Sequence, residues 1–479
     1  MPTSPADLRY DVAVLGAGPA GLAAAASASG AGARVVLLDS AARPGGQYWR
    51  NRGAADTGAL HHDWAVFRAL QAEIDGRVAV RTGHAVWHVD RDSRGVRVHA
   101  VHDGVEQTVE AAALVIATGA YDRQIPFPGW TLPGVFTAGG VQALLKGQGV
   151  VAGRRVAVAG TGPFLLAVAA GLAESGAEVV GVYEAGHPAG FARFPGALAR
   201  NAAKLAEGAG FLAVLAKHRI PYRRRTAVVA AHGSGEVRRI TTARLTREWQ
   251  VVPGTESEVD CDTLAVGYGF TPQLEIPLQL GCATRLDGDG SLVAVADARQ
   301  RSTAERVYLA GEVCGVAGAA ASVAEGRLAG LAAVEDVLGH APDPRQLRQL
   351  LRQRSALRSF AGAMHATFPV PPGWTGWVTP ETMVCRCEEV DARAVDATIT
   401  DLGAADPRAV KLFARPGMGL CQGRVCGYAT ACLVAARAGR VPTAEELRSV
   451  AARPVASPLA PRYCDTFPVP WARPGKAHS

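Results

Sequence analysis

The residues of this chain best suited to joint chemistry are four cysteines: Cys385-x-Cys387 and, after 33 intervening residues, Cys421-x4-Cys426. Two close pairs of thiols can clamp one metal centre, and the glycines of PGMGLCQGRVCG leave room and supply N–H donors to sulfur. A structural zinc site draws on Cys-x2–4-Cys pairs, which the Cys-x-Cys member fits poorly, so iron with sulfide fits better. An incidental disulfide or a set of buried small residues is the competing explanation, but short glycine-flanked pairs rarely recur by accident.

The second group of reactive positions is a glycine turn. In YDVAVLGAGPAGLAAAASASGAGARVVLLD a buried strand runs into Gly16-x-Gly18-x-x-Gly21, then an Ala-rich helix, then a strand ending at Asp39. Gly16 makes the tight turn, Gly18 lets backbone approach a pyrophosphate, and Gly21 lets helix pack on strand. Pro19 and Ala20 open the helix, whose free N–H groups attract phosphate. Asp39, 23 positions after Gly16, is placed to accept hydrogen bonds from a ribose.

A second unit of the same type, RRVAVAGTGPFLLAVAAGLAESGAEVVGVYE, keeps Gly160 and Gly162 but has Leu165 where the third glycine belongs. Leu165 should push the helix off the strand or shift the turn. Glu184 closes this unit and would repel a 2′-phosphate, favouring NAD over NADP. An occupied adenine-nucleotide site (NAD or ATP-like) and a relic kept for its fold are both open.

The elements that must position these groups belong to a chain of 479 residues, 48% hydrophobic and 19% charged. That length favours several domains, and that composition excludes a disordered chain. The net charge of +7 comes with no nucleic-acid-binding signature, and the basic run Lys217–Arg225 is expected to be a solvated turn. No charged start with a separate apolar segment opens the chain, and no stretch reads as a membrane span, so the expected location is cytoplasmic.

No Cys-x-x-Cys pair of the disulfide-reductase kind occurs in residues 1–340. Cys261, Cys282 and Cys314 are expected to be buried small residues, and Cys432 and Cys464 to be non-ligands. His61, His62, His84 and His88 are expected on the surface or on strand faces rather than as bases. No catalytic residue is assigned.

The Gly16 unit is followed by ARPGGQYW, LVIATGA and RVYLAGEV. This order resembles the flavoproteins of the thioredoxin-reductase and glutathione-reductase superfamily. The resemblance implies FAD, with Gly46, Gln47, Thr118, Gly119, Gly311 and Glu312 beside it. The superfamily normally has Gly-Asp where this chain has Gly311-Glu312. It also implies an α/β fold of two dinucleotide-binding domains, one nested in the other: 1–125 and 263–340 for FAD, with 126–262 inserted. A stretch at 341–380, marked by prolines and a change of composition and containing an Arg-rich helical segment, is expected to be a linker.

The segment VCRCEEV…GMGLCQGRVCG resembles the [2Fe-2S] domain of bacterioferritin-associated ferredoxins. That implies a small, mainly helical domain at 381–450, with Cys385, Cys387, Cys421 and Cys426 as ligands, and a tail at 451–479. Taken whole, the chain resembles the FAD-binding A or α subunit of heteromeric opine oxidase, D-hydroxyproline dehydrogenase and hydrogen cyanide synthase. The resemblance implies a β subunit of amino-acid-oxidase type with its own flavin, and leaves room for a small ferredoxin-like subunit. An electron-relay subunit is the first expectation. A self-sufficient NADH-dependent reductase and a non-enzymatic redox scaffold are the alternatives.

Overall fold

A computed structural model describes residues 10–458; Cys464 lies outside the described residues. The first sheet has seven strands. Val78–Arg81, Val35–Leu38, Tyr10–Leu15 and the end of Val105–Ile116 run parallel, joined by Val307–Leu309 from far along the chain. The strands VAVL and VVLL are buried throughout, as a parallel sheet covered on both faces requires. An antiparallel meander, Ala85–Asp92, Gly95–His102 and Val105–Ile116, forms its other edge.

Helix Pro19–Gly30 is buried from Ala20 to Ala28 and packs on helix Ala319–Leu338. Small residues allow this approach: a Cβ on Gly326 would lie 2.0 Å from the Ala20 carbonyl oxygen, and one on Gly330 2.4 Å from that of Ala24. The two helices come from opposite ends of the split domain. Their contact, with strand Val307–Leu309, closes the first unit around the insertion.

The inserted unit holds a five-stranded parallel sheet, ordered Tyr222–Arg224, Glu178–Glu184, Arg155–Gly160, Thr263–Gly267, Val135–Thr137. Three antiparallel strands, Thr226–His232, Arg239–Arg244 and Ser257–Asp260, lie beside it. This is the nested two-dinucleotide-domain architecture. Within the stretch expected to be a linker, Pro344–Thr367 forms one continuous helix, started by the Asp343 side chain. Leu350 of this helix packs on Leu328 and Leu331, so it is a docked element and not a tether. Hydrophobic residues at helical spacing supply the reason.

The last unit is a short hairpin, Met383–Cys385 with Val390–Asp391, and four helices, Ala392–Thr400, Pro407–Ala414, Gly427–Arg437 and Ala444–Ala451. Val384, Val395, Val410 and Val434 form its core. Among the described residues no helix is long and apolar enough to cross a membrane.

Candidate functional site

A cavity of about 1240 Å³ runs between the two dinucleotide-type units. Gly16, Gly18, Pro19, Ala20, Asp39, Gly46, Gln47, Thr118, Gly119 and Glu312 all line it, as does Gly162 of the second turn. The first turn is a cradle that side chains would fill. A Cβ on Gly21 would lie 1.7 Å from the Gly16 carbonyl oxygen, and one on Gly16, at φ +97°, 2.4 Å from that of Ala117. Gly46 approaches Gly18 so closely that its Cβ would lie 2.8 Å from the Gly18 Cα. Gly21, Gly160 and Gly311 stand behind this wall and serve packing. These residues therefore fit an extended dinucleotide laid along backbone.

Asp39 accepts hydrogen bonds from the Ala17 and Ala41 amides, the latter at 2.7 Å. Burial pushes its carboxyl up, against the pull of those two bonds. Glu312 bends onto the start of helix Ala319–Leu338, accepting from the Gly318 amide at 2.9 Å. Burial raises its carboxyl too, opposed by that amide. Glu312 thus reaches this amide while it still borders the cavity.

The second turn is built differently. Its helix, Phe164–Glu174, begins with Pro163 as cap, one residue later than the first turn's helix, which begins at Pro19. Leu165 is fully buried and occupies space that Gly267 leaves open, since a Cβ there would come 3.3 Å from Leu165 Cδ2. The turn has thus shifted, and the helix keeps its seat on the sheet. Glu184 is 1% exposed. Its carboxylate accepts from Thr161 Oγ1 at 2.8 Å, the Gly186 amide at 2.7 Å and the Gly162 amide at 2.9 Å. Glu184 is not among the residues lining the cavity, so the carboxylate expected to face a ribose faces its own loop. Burial pushes it up to about 7, opposed by these bonds.

The four cysteines converge at the ends of their hairpin and loop. Cys385 lies beside Cys426, and Cys387 beside Cys421. The Gly417 amide donates to Cys385 Sγ at 3.5 Å. The Cys426 thiol, with that amide, pulls Cys385 down to about 5, while Cys426 and Cys387 are raised. Among the described residues no three of these sulfurs lie within 4.8 Å of one another. All eight described cysteines are free thiols. Cys387 is exposed, Cys421 half-buried, and Cys385 and Cys426 buried, so the group spans from interior to surface.

This loop reaches the cavity wall through Arg424, which lies between Cys421 and Cys426. Arg424 Nε donates to Tyr121 Oη at 3.0 Å and meets Glu275 at 2.9 Å, and its Nη1 donates to the Cys421 carbonyl at 3.1 Å. Tyr121 belongs to strand Ala120–Asp122, directly after Gly119, and lines the cavity with Glu275. A second anchor is Arg123, buried in an ion pair with Asp289 at 2.8 Å and stacked 4.7 Å from the Tyr428 ring centroid.

Sequence reasoning missed Tyr121, Arg123, Glu275 and Arg424, because nothing local marks a polar group whose partner lies 154 to 303 residues away. It also missed Lys146, on the cavity wall, whose ammonium burial pushes down to about 8. Cys261, Cys282, Cys314 and Cys432 are buried. His62 is exposed and His88 stands on strand Ala85–Asp92, as expected, while the other two are more covered. His84 is buried, stacked 4.3 Å from His102, and the His61 side chain is covered and bound to the Arg50 carbonyl at 2.7 Å.

Two dinucleotide-type units around one cavity, with a glycine cradle in the first, are the architecture of a flavoenzyme. Residues 10–327 match the family model described as pyridine nucleotide-disulphide oxidoreductase. The chain is similar to hydrogen cyanide synthase subunit HcnB of Pseudomonas protegens, 32% identical over 443 residues, covering 87% of this chain and 90% of that relative. It is also 32% identical over 455 residues to an opine oxidase subunit from Agrobacterium tumefaciens, with 91% and 88% covered. In fold it is similar to L-proline dehydrogenase from P. horikoshii, with a TM-score of 0.66, 21% identity, and 94% of this chain and 78% of that one covered. The chain belongs to the pyridine nucleotide-disulphide oxidoreductase family, in the group that holds these synthase and oxidase subunits, and is a flavin-dependent oxidoreductase.

Proposed function

We propose that this chain is the electron-transfer subunit of a heteromeric amino- or imino-acid dehydrogenase, holding FAD at the Gly16 cradle and a [2Fe-2S] cluster at Cys385, Cys387, Cys421 and Cys426. The observation that carries this reading is the contact of Arg424, inside the cysteine loop, with Tyr121 on the cavity wall. FAD takes electrons in pairs or singly and a [2Fe-2S] centre moves one, so their union at this contact suits a relay.

The spacing of the thiols supports iron and sulfide over a single zinc. A tetrahedral site with Zn–S near 2.3 Å needs its sulfurs mutually about 3.8 Å apart. Here the sulfurs fall into two pairs, Cys385 with Cys426 and Cys387 with Cys421, as suits a centre with two metal atoms. In this reading Gly16, Gly18 and Gly46 hold the pyrophosphate against backbone, Asp39 takes the ribose, and Gln47, Thr118, Gly119 and Glu312 border the rest of the dinucleotide.

The oxidation itself belongs to a partner β subunit of amino-acid-oxidase type with its own flavin; the synthase and oxidase relatives, each named as one subunit of a larger enzyme, support a heteromeric complex. A small ferredoxin-like subunit is compatible with it. Free thiols at all eight described cysteines suit a reducing, cytoplasmic location. The Gly160–Gly162 turn keeps a cavity-facing edge at Gly162 for a second adenine nucleotide, without help from Glu184.

The purified chain should contain flavin with equal amounts of iron and acid-labile sulfide. Cys421→Ser should lose the iron–sulfur absorbance and keep the flavin, and a retained cluster in that variant overturns the ligand assignment. Co-expressed with its partner, the chain should be reduced by D-hydroxyproline, an opine, sarcosine or glycine. A complex that none of these reduces refutes the proposed reaction.

A further inference from the structure

Three largely covered charges lie between the cysteine loop and the cavity, and they do not cancel. Arg424 and Arg453 both bind one oxygen, Oε1 of Glu275, at 2.9 and 3.0 Å. The exposures of the three side chains are 10%, 9% and 5%. Among the described residues no other carboxylate lies within 4.0 Å of either guanidinium. Tyr121, the remaining donor to that oxygen at 3.3 Å, is a neutral phenol raised to about 12, chiefly by burial. The cluster therefore carries one positive charge in excess.

Its position gives that charge a target. Arg424 Nη1 donates to the Cys421 carbonyl at 3.1 Å and Arg453 Nε to the Gln422 carbonyl at 2.6 Å, so both guanidiniums grip the backbone of the cysteine loop. Glu275 and Tyr121 line the cavity on the other side. Uncompensated buried cations are costly, and a fold retains one where negative charge arrives next to it. The reduction potential of an iron–sulfur centre follows the charge and hydrogen bonding around it.

We infer that Arg424, Glu275 and Arg453 form a charge-compensating bridge that raises the potential of the cysteine-bound centre and so draws single electrons from the flavin side to it. The inference rests on the proposed function. The triad touches no reacting atom, so these are positioning residues. In the step they favour, one electron leaves the reduced flavin and one enters the oxidised cluster. No bond forms or breaks at the triad, and no proton is exchanged there. The electron pair comes from the amine or imino acid oxidised on the partner subunit.

Potentiometric titration of the full chain, with the cluster followed by electron paramagnetic resonance, tests this without a turnover assay. Arg453→Gln removes the excess cation. It should move the electron distribution between cluster and flavin about tenfold toward the flavin, a fall of about 59 mV in the cluster potential for one electron. Glu275→Gln, nearly isosteric, should shift it the opposite way, and Arg453→Lys should restore the wild-type value. Should Arg453→Gln not hold its cluster, Glu275→Gln and Arg453→Lys decide. Unmoved potentials with the cluster intact, or both Gln variants shifting in one direction, overturn the bridge and leave the relay standing. A wild-type chain with no iron–sulfur signal overturns both.

Discussion

Glu325, which has no exposed surface, is gripped by Arg358 through two hydrogen bonds of 2.6 and 2.7 Å. Arg358 also donates to the Gly315 carbonyl at 2.7 Å, and Glu325 accepts from the Gly311 amide at 3.1 Å. The pair therefore clamps both ends of the turn that carries Glu312, using a residue from helix Pro344–Thr367.

Breaking that pair from one side leaves the buried Glu325 carboxylate to Arg354, at 3.4 Å, and to the Gly311 amide. Arg358→Ala should cost up to about 3 kcal/mol, read as a lower midpoint in denaturant unfolding. Flavin retention should fall with it, because the Gly311–Gly315 turn loses its clamp. The double variant Glu325→Gln with Arg358→Met should lose less than Arg358→Ala alone.

The glycines of the first turn differ from those of the second in what surrounds them. Gly21→Ala places a methyl 1.7 Å from the Gly16 carbonyl oxygen, so the purified variant should carry almost no flavin. Gly162 has open space around its missing side chain and only a positive φ, +102°. Gly162→Ala should cost about 1–2 kcal/mol and keep its flavin, as measured by the flavin-to-protein absorbance ratio.

Glu184 gives the protein a signed dependence on pH. Its folded pKa is raised from 4.5 to about 7 by burial, so the folded state holds the proton more tightly than the unfolded one. Stability should therefore fall as pH rises from about 4.5 through about 7, by up to about 3 kcal/mol. Glu184→Gln should flatten that slope in chemical unfolding, although its amide sets an N–H against the Gly162 N–H. A slope unchanged in the variant would assign it to another group.

Leu165 fills a position that a nicotinamide site would leave to glycine. Leu165→Ala should cost about 2–5 kcal/mol through the cavity it opens. Neither it nor the wild type should show flavin bleaching by NADH, since Glu184 stays on the Gly162 amide in both. Rapid bleaching of the wild type would favour a self-sufficient reductase.

Much of the molecule was legible in the residues. The buried strand, Gly16–Gly21 turn and Ala-rich helix declare themselves, because each depends on near neighbours and on the absence of a side chain at defined positions. The same holds for the nested second unit, and the two short cysteine spacings could be read without a structure. The Arg-rich helical stretch at Pro344–Thr367 could also be read, but its docking was harder, since an Arg-rich surface with a narrow apolar stripe looks like a solvated segment until its neighbours are known.

By itself, then, the sequence determined the two strand–turn–helix units, their order, and the close spacing of the thiols at Cys385-x-Cys387 and Cys421-x4-Cys426, all consequences of local backbone sterics and chain separation. Tertiary structure alone decided where the charges go. Asp39 and Glu184 end equivalent strands and each accepts from the amides of its own turn, yet only Asp39 borders the cavity. Likewise, only packing brings Arg424 to Tyr121 across 303 positions of chain. A buried charge is stable only where the fold delivers its partner, and that partner is a property of the whole chain.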